Sequence, residues 1–340
     1  MEAQNLLRKR EPYWDNVKGV LILLVTFAHF MPAATGSVSG AIYEGIYFFH
    51  MPLFIFVSGL FYKEEKIRAR IIGLVLIGLT YNAFLIMIDN ILLGYEQEFF
   101  LIRVTKIPWF VFCIAGCSLI TYLTRDINPV IVMVISLFLA CVACYDHILM
   151  EYMTLSKVIG WYPFFYLGVL FKRREWKKLL DENSSVTSRF MGGGVVACSY
   201  FVLVIKTRGM RFNIFTYAFL FGCQGAFPTN EFRWFIVKII YYIGIVIVST
   251  AIMMAIPRRK VFLLTHIGER TMQVYFWHIP VRSLLSIWGL QQRFCTNLFG
   301  YVMWSVVSLI VAAVLTMDIF KFPTFYILGG VSKRKQRGIE

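Results

Sequence analysis

Three of the five histidines in this chain, His29, His50 and His278, fall inside long apolar runs, where an ionisable side chain is costly unless it has a partner or a task. The first sits in VKGVLILLVTFAHF, eleven residues after Lys18. Eleven residues of helix rise about 16 Å. With Lys18 marking the cytoplasmic interface at the head of a span, His29 is expected near the bilayer midplane or slightly beyond it. An ammonium at the interface and an imidazole at depth suit a long, thin substrate with an anionic head. Acyl-CoA has that shape, its pantetheine arm being about as long as the offset. An imidazole, with a pKa near operating pH, is the side chain suited to moving a proton there. The spacing also admits a structural reading, in which Lys18 anchors the helix end and His29 is a hydrogen-bonded bundle residue.

Other polar residues gather around the same runs. GIYFFHMPLFIFVSGLFY carries His50 beside a proline that releases a backbone carbonyl, then Ser58-Gly59, a pair that permits close helix approach. KEEKIRARI follows, and its Lys63, Lys66, Arg68 and Arg70 can hold phosphates. Trp109 opens a later run in IPWFVF, and TMQVYFWHIPV puts Tyr275 and His278 one turn apart on one helical face. Glu44, His50 and His278 are candidates for the acceptor side, each against a structural hydrogen-bonding role. Tyr275 and Trp109 read as pocket wall or packing, and Ser58 as a helix-packing residue. Asp15 either orients Lys18 or, as an acid in the first turn, stabilises the helix start. Asp89 lies in a third run, and Asp146 with His147 closes a fifth, where solvation is expected. The seven cysteines lie mostly within apolar runs; the Cys141-Cys144 pair has no matching second pair, so packing is expected and no metal site.

The elements that must position these groups are helices. The chain is 59% hydrophobic and 16% charged, with mean hydropathy +0.68. A soluble domain carries about 25% charged residues. The apolar residues come in blocks of about twenty, the length that crosses the hydrocarbon core. The expectation is an all-α, polytopic transmembrane helix bundle with about ten helices, over 19–36, 42–62, 71–93, 108–124, 129–147, 155–171, 190–206, 236–256, 271–289 and 298–318. The aromatic stretch 212–227 reads as an outer-side loop or re-entrant segment. A net charge of +15 would suggest nucleic acid in a soluble chain. Here the basic residues cluster in short loops, so the partner is membrane lipid and not nucleic acid. Their bias places both termini in the cytoplasm. One domain, 1–340, is expected: a cytoplasmic segment 1–18, a bundle 19–320 and a basic tail 321–340. No cleavable signal is evident, because the first apolar run is too long for a removed segment.

In their order along the chain these motifs resemble the acyltransferase-3 family of integral-membrane acyltransferases, and within it the fucose-acetylase-like and bacterial polysaccharide O-acetyltransferase branch. YWDNVKGVLILLVTFAHF is similar to the family's N-terminal motif, a basic residue followed ten residues or so later by His and preceded by an aspartate, here Asp15. FHMPLFIFVSGLFY, IRARI, PWFVF, YPFFYLGVLF and MQVYFWHIPV resemble its later motifs. The resemblance implies transfer of an acyl group, acetyl or succinyl, from cytoplasmic acyl-CoA to a hydroxyl of a cell-surface or lipid-linked glycan, in the cytoplasmic membrane of a bacterium. It implies that His29 is catalytic, as a neutral general base taking the proton of an acceptor hydroxyl as it attacks the thioester, with a covalent acyl-histidine as the variant. It also implies that Lys18 and the Arg68/Arg70 pair face the CoA phosphates, with acetyl-CoA as donor substrate and no permanently bound cofactor. The usual arginine is Lys18 here, which keeps the charge and loses bidentate phosphate binding. No extra soluble domain of the kind some relatives append is expected, so the whole cycle is expected to fall to the membrane domain. The rival reading is a proton-coupled transporter or flippase for a glycan or small acid; the lack of internal symmetry counts against it. A structural or sensory subunit is a further alternative. The acceptor and the oligomeric state leave no mark in the sequence.

Overall fold

The computed structural model describes residues 11–31, 38–95, 107–143, 154–171, 186–207 and 232–329. The stretch 212–227, Asp146, His147, Cys144 and the basic residues of both termini lie outside these. The described residues form no strand. Their α-helices are α1 Pro12–Phe30, α2 Val38–Leu60, α3 Ile67–Leu92, α4 Trp109–Leu123, α5 Pro129–Val142, α6 Leu155–Leu170, α7 Val186–Thr207, α8 Arg233–Ala255, α9 Phe262–Glu269, α10 Thr271–Ile287, α11 Leu290–Phe294 and α12 Leu298–Val314. Among the described residues three stretches are long and apolar enough to cross a membrane, Ile42–Leu60, Glu64–Leu92 and Phe235–Ala255; α4, α5, α6 and α12 are shorter apolar helices.

The apolar surface is turned outwards. On α5, Val130, Ile131, Val134, Ile135 and Phe138 are exposed, whereas Ser136 and Ala140 face in. So much exposed aliphatic surface would aggregate in water and is what hydrocarbon requires. Inside, the helices touch where side chains are small. A Cβ on Gly59 of α2 would run into the Phe165 carbonyl of α6, and one on Gly168 would meet the Phe56 carbonyl. The two backbones therefore lie in direct contact, the role expected of the Ser58-Gly59 pair. Gly19 of α1 and Gly268 of α9 make a second such crossing, against the Leu264 and Asp15 carbonyls. The cysteines of α4 pack the same way: Cys113 and Cys117 are buried and lie against the Lys157 and Val158 carbonyls of α6.

The first helix departs from its expected bounds of 19–36. It begins at Pro12, in the first turn where a missing N–H costs nothing, and ends at Phe30. Met31 is extended because the residue before a proline is pushed out of the helical region. The polar residues that resemble a loop are buried helix residues with tertiary partners. Asn16 donates from Nδ2 to the Pro257 and Arg259 carbonyls, at 2.8 and 2.9 Å, and its Oδ1 accepts from the Thr265 hydroxyl at 2.7 Å. Lys18 consequently lies nearly two turns inside the helix and not at its head, and His29 lies in its last turn.

Candidate active site

α1 and α2 are consecutive and antiparallel neighbours, so the end of α1 meets the start of α2. His29 is held at that junction by α12 and α11: the Trp304 indole N–H donates to the Phe30 carbonyl at 2.8 Å, and the Gln291 amide reaches it at 3.3 Å. An orphan carbonyl at a helix end is thereby satisfied, which fixes the turn that carries His29.

α10 supplies the partner. His278 is fully buried, and its Nδ1 lies 2.7 Å from the Tyr275 carbonyl and 3.1 Å from that of Val274. Carbonyl oxygens only accept, so Nδ1 of His278 carries the proton, and in the neutral ring Nε2 is a bare lone pair. That Nε2 lies 3.1 Å from His29 Nδ1. The proton of this contact therefore belongs to His29 Nδ1, and neutral His29 has its own lone pair on Nε2. The carbonyl–His278–His29 series sets the tautomer of His29 as a carboxylate does in a catalytic triad. The Tyr81 hydroxyl donates to the same Tyr275 carbonyl at 3.1 Å, which holds α3 to α10 behind the pair.

His29 is half-buried and lines a cavity of about 130 Å³ between α1, α2, α4 and α10. Val25, Tyr43, Tyr47, His50, Phe54 and Tyr275 share its wall, together with Trp109 and Phe110 at the start of α4. His278 engages His29 Nδ1, so Nε2 is the ring nitrogen whose lone pair is left for a substrate proton. Tyr47 contacts two imidazoles, with ring centroids 6.1 Å from His29 and 4.8 Å from His50. The Tyr275 hydroxyl donates to the Ile107 carbonyl and closes the α4 side. Lys157 places its ammonium 4.7 Å above the Trp109 ring. Arg282, one turn beyond His278, acts electrostatically on both imidazoles of the pair and on Tyr43 and Tyr47. Among the described residues no carboxylate lines the cavity, and no cluster of His, Cys, Asp and Glu could hold a metal ion.

The structure thus gathers His29, His50, His278, Tyr275 and Trp109, which are far apart in sequence. Glu44 is half-buried one position from Tyr43 and does not line the cavity. Tyr43 and Tyr47 were not anticipated, although Tyr43, Tyr47, His50 and Phe54 follow the i, i+4, i+7, i+11 spacing of one helical face.

The basic candidates occupy the opposite end of α1 and α2. Lys18 Nζ lies 2.7 Å from the buried Asp15 carboxylate and 5.3 Å from the Phe61 ring centroid. Asp15 is therefore an ion-pair partner as well as a first-turn acid. Arg70 donates to the Phe61 and Ser58 carbonyls, both at 3.0 Å, and so caps the C-terminal end of α2. The Ser58 hydroxyl is turned back onto the Phe54 carbonyl at 2.9 Å. Lys63 and Arg68 are exposed. Between the cavity and this end lie seven residues of α1, from Lys18 to Val25, about 10 Å of helix. Buried Leu21, Ile22 and Val57 fill that interval.

No curated protein and no solved structure matches the chain. The acyltransferase-3 family, described as an acyltransferase domain, matches residues 11–318, from the start of α1 to the residues that follow α12. The match takes in every helix that builds the cavity, and the chain belongs to the acyltransferase-3 family of membrane acyltransferases.

Proposed function

We propose that the protein moves an acyl group, acetyl in the first instance, from cytoplasmic acyl-CoA to a hydroxyl of a cell-surface or lipid-linked glycan, with His29 as the catalytic base. The observation that carries this reading is the 3.1 Å contact between His278 Nε2 and His29 Nδ1 at the wall of the cavity. It leaves His29 Nε2 ready to accept a proton. In the step proposed, Nε2 takes the proton of the acceptor hydroxyl while the oxygen attacks the thioester carbonyl, forming the new C–O bond. The C–S bond then breaks, and the proton passes from His29 to the departing thiolate, so that the imidazole is neutral again at the end of the cycle. The imidazolium formed in between is stabilised by the lone pair of His278. Arg282 adds positive charge near the oxyanion that develops.

Lys18 and the exposed Lys63 and Arg68 suit the phosphorylated head of the donor. Arg70 adds charge there while holding the end of α2. The pantetheine arm must then part the apolar layer of Leu21, Ile22 and Val57 to reach the cavity. Membership of an acyltransferase family favours transfer over the transport reading.

The test is acyl-CoA turnover. Purified protein in lipid nanodiscs should release free CoA from acetyl-CoA, and cells lacking the protein should lose an O-acyl group from a surface glycan. Purified, folded protein that leaves acetyl-CoA intact with an extract of the cell's own glycans present would reject the proposal.

A further inference from the structure

His50 is fully buried, and its Nδ1 lies 2.6 Å from the Ile46 carbonyl. As for His278, the carbonyl can only accept, so the proton is on Nδ1 and Nε2 is bare. That Nε2 is buried and has no hydrogen-bond partner. Buried polar atoms are nearly always satisfied, and an exception calls for an explanation. His50 lines the cavity into which His29 also faces. A bare lone pair there asks for an N–H or O–H from whatever fills the space.

We propose that His50 Nε2 receives a hydrogen bond from a second hydroxyl of the acceptor, adjacent to the one that is acylated, so that the enzyme selects vicinal diols such as those of a sugar ring. This rests on the reading of the cavity as the acyl-transfer site and names the acceptor class for it. His29 and His50 both contact the ring of Tyr47, at centroid distances of 6.1 and 4.8 Å, and both line the one cavity of about 130 Å³. Two acceptor lone pairs on histidines of one small cavity match neighbouring hydroxyls of one small cyclic molecule, and a single hydroxyl, with one proton to donate, cannot serve both. The aromatic walls complete the fit: Tyr43 and Tyr47 pack together with centroids 4.3 Å apart, and Trp109 and Phe110 line the facing side. Such faces accept the C–H surface of a sugar, while a few placed polar groups fix its orientation. Carbonyl and carboxylate oxygens, which only accept, would be repelled by Nε2. The pantetheine amide of the donor is the other source of an N–H, and the test separates the two.

The experiment uses the full chain in nanodiscs, acetyl-CoA as donor, and propylene glycol and n-propanol as probe acceptors that differ by one hydroxyl. The ratio of their kcat/KM values is expected to favour the diol about tenfold, the worth of one hydrogen bond in a dry site. In His50→Phe the ratio should collapse towards unity. In His50→Gln, whose Oε1 can accept, it should recover; this variant and the wild-type ratio carry the test if the Phe variant does not fold. An unchanged ratio in His50→Phe, or no diol preference in the wild type, would overturn the proposal. A raised acetyl-CoA KM with an unchanged diol ratio would also overturn it, by assigning the lone pair to the pantetheine amide. Failure of the wild type to turn over acetyl-CoA would remove the transfer reading itself, a result distinct from loss of diol preference alone.

Discussion

Replacing His278 with Phe keeps a ring of similar size in a site with no exposed surface and removes one atom that matters, the Nε2 that accepts from His29 Nδ1. Two effects follow. The Nδ1–H of His29 loses that acceptor, a hydrogen bond worth about 1–3 kcal/mol to a ring that becomes charged, while the Val25 carbonyl remains as a hydrogen-bond partner of the ring. The ring also becomes freer to carry its proton on Nε2, which removes the base from the cavity. If this cost falls on the transition state, where His29 is cationic, kcat drops roughly 5- to 150-fold, at about 1.4 kcal/mol per factor of ten. The KM for acetyl-CoA should hold, because His278 does not line the cavity. His278→Gln, which offers an amide oxygen in place of Nε2, should lose less than His278→Phe. The assay is CoA release followed with a thiol reagent on nanodisc-embedded protein, with thermal unfolding as a control for folding. A Phe variant with kcat within twofold of wild type would refute the argument, as would one altered only in KM.

The remaining expectations concern the frame and the donor. Gly59→Ala puts a methyl into the Phe165 carbonyl, so it should destabilise the α2–α6 contact by about 1–3 kcal/mol and lower the thermal midpoint; an unchanged midpoint would mean the helices move apart freely. Asn16→Ala leaves the Pro257 and Arg259 carbonyls and the Thr265 hydroxyl without their partner, and should cost at least about 1–3 kcal/mol in the same melt. Arg70→Ala should act mainly on stability, by about 1.5–3 kcal/mol, because its guanidinium is bonded to the Ser58 and Phe61 carbonyls. Lys63→Ala combined with Arg68→Ala should instead raise the KM for acetyl-CoA with kcat retained, the more so at low salt; an unchanged KM would place the phosphates elsewhere.

Much of the helical frame was legible because the signal is local. A run of apolar residues about twenty long, closed by Pro, Gly or charge, marks a helix wherever it occurs. α4, α6 and α10 lie within about three residues of the bounds the runs suggest. α1 was misjudged because its first turns carry Trp14, Asp15 and Asn16, whose burial depends on residues some 240 positions away. The histidines could be singled out by residue type alone. Their pairing could not: His29 and His278 are 249 residues apart, and only the packing of α1 against α10 brings them together. Arg70 shows the converse limit, since a basic residue after a span reads as a phosphate ligand whether or not its donors are already bound to carbonyls. The spacing of Tyr43, Tyr47 and His50 was readable as one face, yet tyrosines in an apolar run look like ordinary packing until a cavity is found beside them.

The most direct measurement is a single-turnover experiment with labelled acetyl-CoA on wild-type protein and the His29→Ala variant, alongside CoA binding. The account predicts that the variant binds CoA as the wild type does and transfers acetyl at least about a hundredfold more slowly, the least expected on losing a positioned base. Transfer within a few-fold of the wild-type rate would show that His29 does not take the proton.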